Sequence, residues 1–182
     1  MSSAYGGENA EPPSATAGTD GQVVVVGADE QSDVEVDVDR WSRLATAVLR
    51  DGGRHGELTL TFVDRAEIAA LNEAHLGHTG PTDVLSFPLD AADLAAAADG
   101  PIPVLLGDVV ICPDVARAQA PMHAGTFDDE LALLVVHGVL HVLGHDHAEA
   151  SESSVMRAKE LALLVAHHWG GPPPSGFRQA QD

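Results

Sequence analysis

The alternation of hydrophobic and polar residues divides most of the chain into short strands and longer helices. Alternating or β-branched segments predict strands over residues 22–26, 57–63, 83–87 and 102–112, the last of them bent at Gly107. Apolar positions three and four residues apart predict helices over residues 38–49, 64–76, 113–120, 126–143 and 151–168. This order of elements predicts an α+β domain in which about five helices pack with a mixed sheet of about four strands.

Two of the helices have clear boundary signals. Asp64 is followed three positions later by Glu67, and Thr126 is followed three positions later by Asp129. Both pairs are typical of a helix N-terminus, where a side-chain oxygen accepts a hydrogen bond from a backbone N–H that has no partner within the helix. Gly77 follows the first of these helices and is suited to the left-handed conformation that ends it.

Both ends of the chain differ in composition from the part between them. Residues 1–20 are rich in Gly, Ser, Ala, Pro and acidic residues, and residues 170–182 contain the run GGPPPSG. Segments of this kind bury too little apolar surface to become ordered, so we predict disordered tails at both ends. The folded domain is then expected over residues 21–169, and its Ala- and Asp-rich segment 91–100 is expected to form a loop or a weak helix.

Charge limits the kind of partner that the surface as a whole can attract. The 182 residues include 28 acidic and 9 basic ones, which gives a formal net charge of −19. Such a surface repels nucleic acid at long range and attracts basic proteins. A nucleic-acid role would therefore depend on a local site or on a basic partner protein.

The remaining composition suggests a cytoplasmic protein. Cys112 is the single cysteine, so the chain forms no internal disulfide and nothing points to an oxidising compartment. The longest apolar run, residues 131–143, is too short to span a bilayer and predicts a buried helix. We therefore expect no membrane association.

Histidines cluster on this buried helix and just after it. His137 and His141 are four residues apart, so their side chains lie on one face, close enough to share a metal ion. Gly144 can turn the chain sharply and bring His147 back over that face. Three imidazoles suit zinc, and three protein ligands with a fourth position left to water are typical of a catalytic site. We therefore predict one zinc ion on these three histidines.

Other assignments around the motif stay open. His145 lies four residues after His141 and competes with His147 as the third ligand, although a turn at Gly144 favours His147. Asp146 is either a hydrogen-bond acceptor that orients a ligand or a solvated turn residue. Zincin proteases place a glutamate directly after the first histidine, where this chain has Gly138, so peptide hydrolysis by that mechanism is not expected.

The motif resembles the signature of a known family. The segment HGVLHVLGHDH, over residues 137–147, is similar to the H-G-x-L-H-L-x-G-[YH]-D-H signature of the YbeY endoribonuclease or rRNA maturation factor family. The resemblance covers roughly residues 55–165 and includes LN, PTDVLSFP, GDVVICPDVA, FDDELALLVVHG and the positions of Glu152, Met156 and Glu160. Several long matches in the same order make it specific.

The resemblance implies both a fold and a function. It implies a zincin-like domain whose buried central helix carries His137 and His141, with zinc held by these two residues and His147. It implies single-strand-specific cleavage of RNA through the zinc-bound water, in maturation of the small-subunit rRNA 3′ end and in ribosome quality control. The implied partners are rRNA precursors, a small-subunit ribosomal protein and an Era-type GTPase.

One position departs from the family pattern. Many members carry an arginine four residues after the Asn of the LN motif, and this chain has Leu76 there. A guanidinium at that place would hold a phosphate and stabilise developing charge. Arg117 is the candidate substitute, with a solvated helix residue as the alternative reading, and Thr82 and Ser86 are further candidate contacts to RNA unless Thr82 only closes a turn.

Three functions are consistent with these features. The first is a zinc-dependent endoribonuclease, acting either by hydrolysis or by attack of the RNA 2′-hydroxyl. The second is a ribosome-assembly factor that acts by binding and keeps a mainly structural zinc, which the net charge of −19 and Leu76 favour. The third is a zinc hydrolase acting on another bond such as an amide, which the absence of a glutamate at Gly138 disfavours.

Overall fold

The computed structural model describes residues 22–89, 104–145 and 150–179. The predicted N-terminal tail (residues 1–20) and the Ala- and Asp-rich segment 91–100 lie outside these ranges. The same holds for Asp146 and His147, so the structure does not test their predicted roles.

Four strands form one mixed sheet within the described residues, as predicted. They are β1 (Val23–Asp29), β2 (Gly56–Phe62), β3 (Val84–Pro88) and β4 (Leu105–Ile111). Their order across the sheet is β1-β2-β4-β3, with β1 and β4 parallel to β2 and with β3 antiparallel to β4. The predicted bend at Gly107 is a shift of register against β2, where Gly107 has φ +146°.

Five α-helices accompany the sheet in the described part of the chain. They are α1 (Val38–Asp51), α2 (Arg65–Leu76), α3 (Pro113–Gln119), α4 (Phe127–Val142) and α5 (Ala150–Leu164). Both predicted capping signals are present, since Asp64 accepts from the Glu67 backbone N–H at 2.8 Å and Thr126 accepts from that of Asp129 at 3.1 Å. The last predicted helix changes character before its end, because Val165–Trp169 form a π-helical turn. None of the helices in these ranges is long and apolar enough to cross a bilayer.

The two faces of the sheet bury different helices, because successive side chains of a strand point to opposite sides. Leu58, Leu60 and Phe62 of β2 are fully buried in the main core with α1 and α4. Val110 of β4 belongs to a second cluster with Ile68 of α2. The sheet therefore separates α2 from the layer that contains α4.

Helix α4 is the central element of the main core. Twelve of its 16 residues are buried, and it packs against β3, β4, α1 and α5. Three acidic residues, Asp128, Asp129 and Glu130, occupy its first turn, where they face the positive end of the helix dipole. A helix packed on this many sides has little freedom to move, so side chains that leave its surface are held at fixed positions.

Residues 170–179, for which the composition predicts a disordered tail, contact the rest of the domain. The Phe177 ring packs on that of Trp169 with centroids 4.8 Å apart and lies against the main core. The backbone N–H of Arg178 donates to the carbonyl of His123 at 3.1 Å. Composition alone predicted disorder because the Gly- and Pro-rich run hides these anchors, which act only through contacts with distant parts of the chain.

Asp129 ties the start of α4 to the π-helical turn. One carboxylate oxygen accepts hydrogen bonds from Trp169 Nε1 at 2.7 Å and His168 Nε2 at 2.8 Å, and the other accepts from the Thr126 hydroxyl at 2.7 Å. Burial of the carboxyl opposes its ionisation, but the hydrogen bonds from Thr126, Trp169 and His168 outweigh burial and lower the pKa of Asp129. The charged form of Asp129 therefore holds the C-terminal part of the domain against α4.

We predict that Asp129→Asn destabilises the domain by about 1 to 3 kcal/mol at neutral pH, because the three side chains that donate to Asp129 lose a charged acceptor. A lowered folded-state pKa stabilises the fold above the unfolded value of about 4, and this stability is lost as the pH falls through the folded-state value. The free energy of unfolding, measured in urea, should therefore be higher for wild type than for the variant, and this difference should narrow only below about pH 4.

Asp128→Asn is the matched control for this measurement. Asp128 is the preceding residue, and its ion pair with Arg40 is at the surface, with 56% of the Asp128 side chain exposed. Its loss should change stability by well under 1 kcal/mol. Equal effects of the two substitutions, or a gap for Asp129→Asn that does not depend on pH, would contradict the assigned role.

Candidate functional site

His137 and His141 meet at the surface of α4, as their spacing predicts. Their Nε2 atoms are 3.1 Å apart, and their rings are close to perpendicular with centroids 4.6 Å apart. Two nitrogens bound at about 2.0–2.1 Å to one tetrahedral zinc ion lie about 3.3 Å apart. The pair therefore already has nearly the separation that a shared metal ion requires.

Glu160 of α5 fixes the hydrogen position on His137. Its Oε1 atom accepts a hydrogen bond from His137 Nδ1 at 2.7 Å, and Glu160 is only 4% exposed. Because Nδ1 carries the hydrogen, the lone pair of the neutral ring is on Nε2, the atom that faces His141. Such a carboxylate behind a histidine is the usual partner of a metal-bound imidazole, since it orients the ring and makes it more basic.

The end of α4 has the geometry that the prediction requires of Gly144. Gly144 has φ +89°, and its N–H donates to the carbonyl of His141 at 2.9 Å. The next N–H, that of His145, reaches back to the carbonyl of Leu140 at 3.0 Å. These two bonds form a Schellman motif, which ends a helix and redirects the chain.

His145 lies beside a cation. Its Nε2 atom is 3.0 Å from the ammonium of Lys159 on α5. Burial lowers the pKa of His145, and the positive charge of Lys159 lowers it further. Within the described residues, no group of three or more His, Cys, Asp or Glu side chains is placed to hold a metal ion. The third predicted ligand, His147, is not among those residues.

A cavity of about 120 Å³ opens beside His137. Its lining comes from α4, α5 and the start of β3, and includes Asp83, Glu130, Arg157 and Glu160. Glu130 is 1% exposed and accepts from the Ala124 backbone N–H at 3.1 Å. The cavity therefore joins a histidine of the pair to several charged groups, and Arg157 is a basic group among them.

Gly138 allows α4 to lie close to the sheet. A Cβ atom at this position would stand 2.6 Å from Cγ1 of Val109 on β4 and 3.3 Å from the Ser86 hydroxyl on β3. The Ser86 hydroxyl donates to the Gly138 carbonyl at 3.2 Å. The sheet therefore leaves no room here for the glutamate that zincin proteases carry, and Ser86 has a structural contact beside the site.

Two other predicted contact residues are engaged with their neighbours. The Thr82 hydroxyl donates to Asp83 Oδ1 at 3.2 Å, and the same oxygen accepts from the Val84 backbone N–H at 2.8 Å. Arg117 Nη2 donates to Asp114 at 2.7 Å on its own helix. These contacts fit the turn and the surface-helix readings that the sequence leaves open for Thr82 and Arg117.

Asp114 is shared by two arginines. Hydrogen bonds from Arg65 and then Arg117 lower the pKa of this carboxyl below its usual value.

Leu76, at the position of the family arginine, ends α2 with 57% of its surface exposed.

Two residues of the site had weaker sequence signals. Glu160 is one charged residue in a buried stripe of α5, between Met156 and Leu164 at helical spacing, and the family resemblance marked its position without giving it a role. A lone acid on an apolar helix face is a signal for a buried partner. Arg157 had no such signal, because only the packing of α5 on α4 brings it to the cavity.

Several relatives of this chain share one name. The chain is 43% identical over 143 residues to "Endoribonuclease YbeY" of Salinispora tropica, which covers 75% of this chain and 91% of that protein. It is 46% identical over 144 residues to the protein of the same name from Acidothermus cellulolyticus, covering 75% and 87%. The solution structure of TM1509 from Thermotoga maritima superposes with a TM-score of 0.55 at 25% identity, covering 82% of this chain and 90% of that one.

The match extends over most of the domain. The model of the family described as endoribonuclease YbeY matches residues 27–167, which include the end of β1, all of β2 to β4, the histidine pair and Glu160. This chain therefore belongs to the endoribonuclease YbeY family.

Proposed function

We propose that this protein is a metal-dependent endoribonuclease that cuts single-stranded RNA at the histidine pair of α4. Family membership supports the reaction class, since the relatives carry the name endoribonuclease. The observation that carries the proposal is the pair of Nε2 atoms 3.1 Å apart, backed by the buried carboxylate of Glu160. His137 is half-buried, and an imidazole that is backed by a buried carboxylate in this way is typical of a metal ligand.

Zinc is the metal that we propose, held by His137, His141 and His147, one ion per chain. The donor set fits zinc, because neutral imidazole nitrogens are among its preferred ligands. The 3.1 Å separation of two of the donors also fits. Zinc would supply a positive charge that polarises a phosphoryl oxygen or lowers the pKa of water toward about 7.

The other groups of the cavity would act on the substrate and on the ligands. Glu160 keeps the hydrogen on Nδ1 of His137, so that the Nε2 lone pair faces the site. Arg157 lines the same cavity as His137, whereas Arg117 is already ion-paired with Asp114. We therefore propose that Arg157, rather than Arg117, meets a phosphate of the RNA. Thr82 and Ser86 remain predicted contacts to RNA, in addition to Arg157.

The proposed biological substrate is precursor rRNA at the 3′ end of the small subunit, with a further role in ribosome quality control in the cytoplasm. A net charge of −19 gives no long-range attraction to RNA. A basic small-subunit ribosomal protein would overcome this by bringing the acidic enzyme to its substrate. An Era-type GTPase is the second partner that the family resemblance suggests.

A ribosome-assembly factor that acts by binding is the second candidate. The net charge of −19 favours it, and so does Leu76, which leaves the family position for a phosphate-binding arginine without a cation. In that case zinc would be mainly structural, and the protein would bind its partners without cutting RNA.

The first prediction here concerns cleavage itself. Zinc-loaded wild type should cut a short labelled single-stranded RNA that matches the small-subunit 3′ extension, and His141→Ala purified identically should lose at least about 100-fold in rate, because one of the proposed ligands is gone. End-labelling of the products distinguishes hydrolysis from attack by the 2′-hydroxyl. Equal cleavage by both proteins would reveal a contaminating nuclease, and zinc binding without any cleavage would favour the assembly factor.

The second prediction concerns the carboxylate behind His137. Glu160→Gln should lower zinc affinity by about 10- to 100-fold, because the amide lacks the charge that makes the imidazole a stronger ligand. Competition with a chromophoric chelator measures the affinity. Glu35→Gln, an exposed residue before α1, is the control and should leave it unchanged. Unchanged zinc affinity in Glu160→Gln would show that this carboxylate does not support the proposed metal site.

The third prediction compares two arginines. Arg157→Ala should weaken RNA binding and reduce the slope of log affinity against log salt by about 0.7, the share of one phosphate contact on a single strand. Arg117→Ala should change neither quantity. Titration of labelled RNA at several salt concentrations measures both, and the reverse pattern would restore Arg117 as the phosphate contact.

A further inference from the structure

The C-terminal segment, residues 170–179, lies beyond the part of the chain that the family model matches, which ends at residue 167. It follows the π-helical turn and is held by the Trp169–Phe177 ring contact and by the hydrogen bond from the Arg178 backbone to His123. These anchors bring its last described residue, Gln179, onto α5.

Gln179 binds two acceptors through one nitrogen. Its Nε2 atom donates to Glu160 Oε2 at 2.7 Å and to the backbone carbonyl of Arg157 at 2.8 Å. Both amide hydrogens are therefore used, and the orientation of the amide follows from its partners, since an oxygen in the place of Nε2 would face two acceptors. Two hydrogen bonds thus hold the amide of Gln179 against the carboxylate.

Glu160 divides its two oxygens between two donors. Oε1 accepts from His137 Nδ1 and Oε2 accepts from Gln179 Nε2, both at 2.7 Å. A carboxylate held at one oxygen can still rotate about its last side-chain bond, and a second bond at the other oxygen removes that freedom. With Glu160 only 4% exposed, solvent has little access to replace the amide.

We propose that Gln179 is a positioning residue of the metal site: it holds Glu160 so that this carboxylate keeps His137 in the tautomer and orientation that bind the metal ion. The inference rests on the proposed function, because it takes His137 as a ligand. It assigns to the C-terminal segment a role in metal affinity, which Gln179 exerts through Glu160 without touching metal or RNA.

The test is zinc affinity in full-length Gln179→Met, which keeps the length of the side chain and removes both donors. We expect affinity, measured by chelator competition, to fall about 3- to 10-fold, less than the roughly 10- to 100-fold that loss of a direct partner of a ligand costs. Gln31→Met is the matched control. Gln31 Nε2 also donates to one carboxylate, Asp29, at 2.9 Å and to one carbonyl, that of Val34, at 2.7 Å.

A double-mutant cycle separates positioning from general loss of stability. If Gln179 acts through Glu160, Gln179→Met should lower zinc affinity in wild type and have no further effect in Glu160→Ala. Thermal unfolding of the metal-free proteins shows whether each variant folds. If Glu160→Ala fails to fold, the comparison of Gln179→Met with Gln31→Met decides alone.

The outcomes distinguish this inference from the proposed function. If Gln179→Met binds zinc as tightly as wild type, or loses no more affinity than Gln31→Met, the positioning role is overturned. The metal site itself would still be supported if wild type binds zinc and His141→Ala does not. A loss of equal size with and without Glu160 would also overturn the positioning role. Wild type that binds no zinc would overturn both.

Discussion

The packing of α4 against the sheet is the constraint on which the rest of the structure depends. Gly138 lets the helix approach β3 and β4 so closely that a Cβ atom would meet Val109 at 2.6 Å. This contact fixes the height of α4 over the sheet and, with it, the positions of His137 and His141. The helix is buried along most of its length, so the histidine pair stands on a densely packed element. A site that must hold two nitrogens 3.1 Å apart benefits from such a base.

Polar contacts then connect this helix to the end of the chain at two levels. At its N-terminus, Asp129 holds His168 and Trp169 through a single carboxylate oxygen. Near the pair, Glu160 bridges His137 and Gln179. Both acids are buried, and each accepts at least one hydrogen bond from the C-terminal part of the domain. Folding of that part and orientation of the histidine pair are therefore linked through two carboxylates on neighbouring helices.

The sequence predicted those features that depend on neighbouring residues. Helix starts at Asp64 and Thr126, the turn at Gly144 and the meeting of His137 with His141 follow from spacing and local chemistry, and the structure confirms them. The order of strands across the sheet had no local signal, and neither did the arrival of Arg157 at the cavity, since both depend on how distant elements pack.

The contacts of the C-terminal segment had no signal in the local sequence. Its Gly- and Pro-rich composition is typical of disorder, yet Phe177 and Gln179 reach partners that precede them in the chain by 8 and 19 residues or more. Composition describes what a segment can bury by itself, and it is silent about pockets that the rest of the domain provides.

The central claim is that the histidine pair belongs to an open, three-ligand metal site. A crystal structure of the zinc-loaded protein, with anomalous scattering recorded on both sides of the zinc edge, tests it most directly. The account predicts one zinc peak within about 2.0–2.1 Å of Nε2 of His137 and of His141, a third bond from His147, and a fourth position with no protein ligand. A zinc ion closed by a fourth side chain such as His145, or no zinc at the pair, would contradict it.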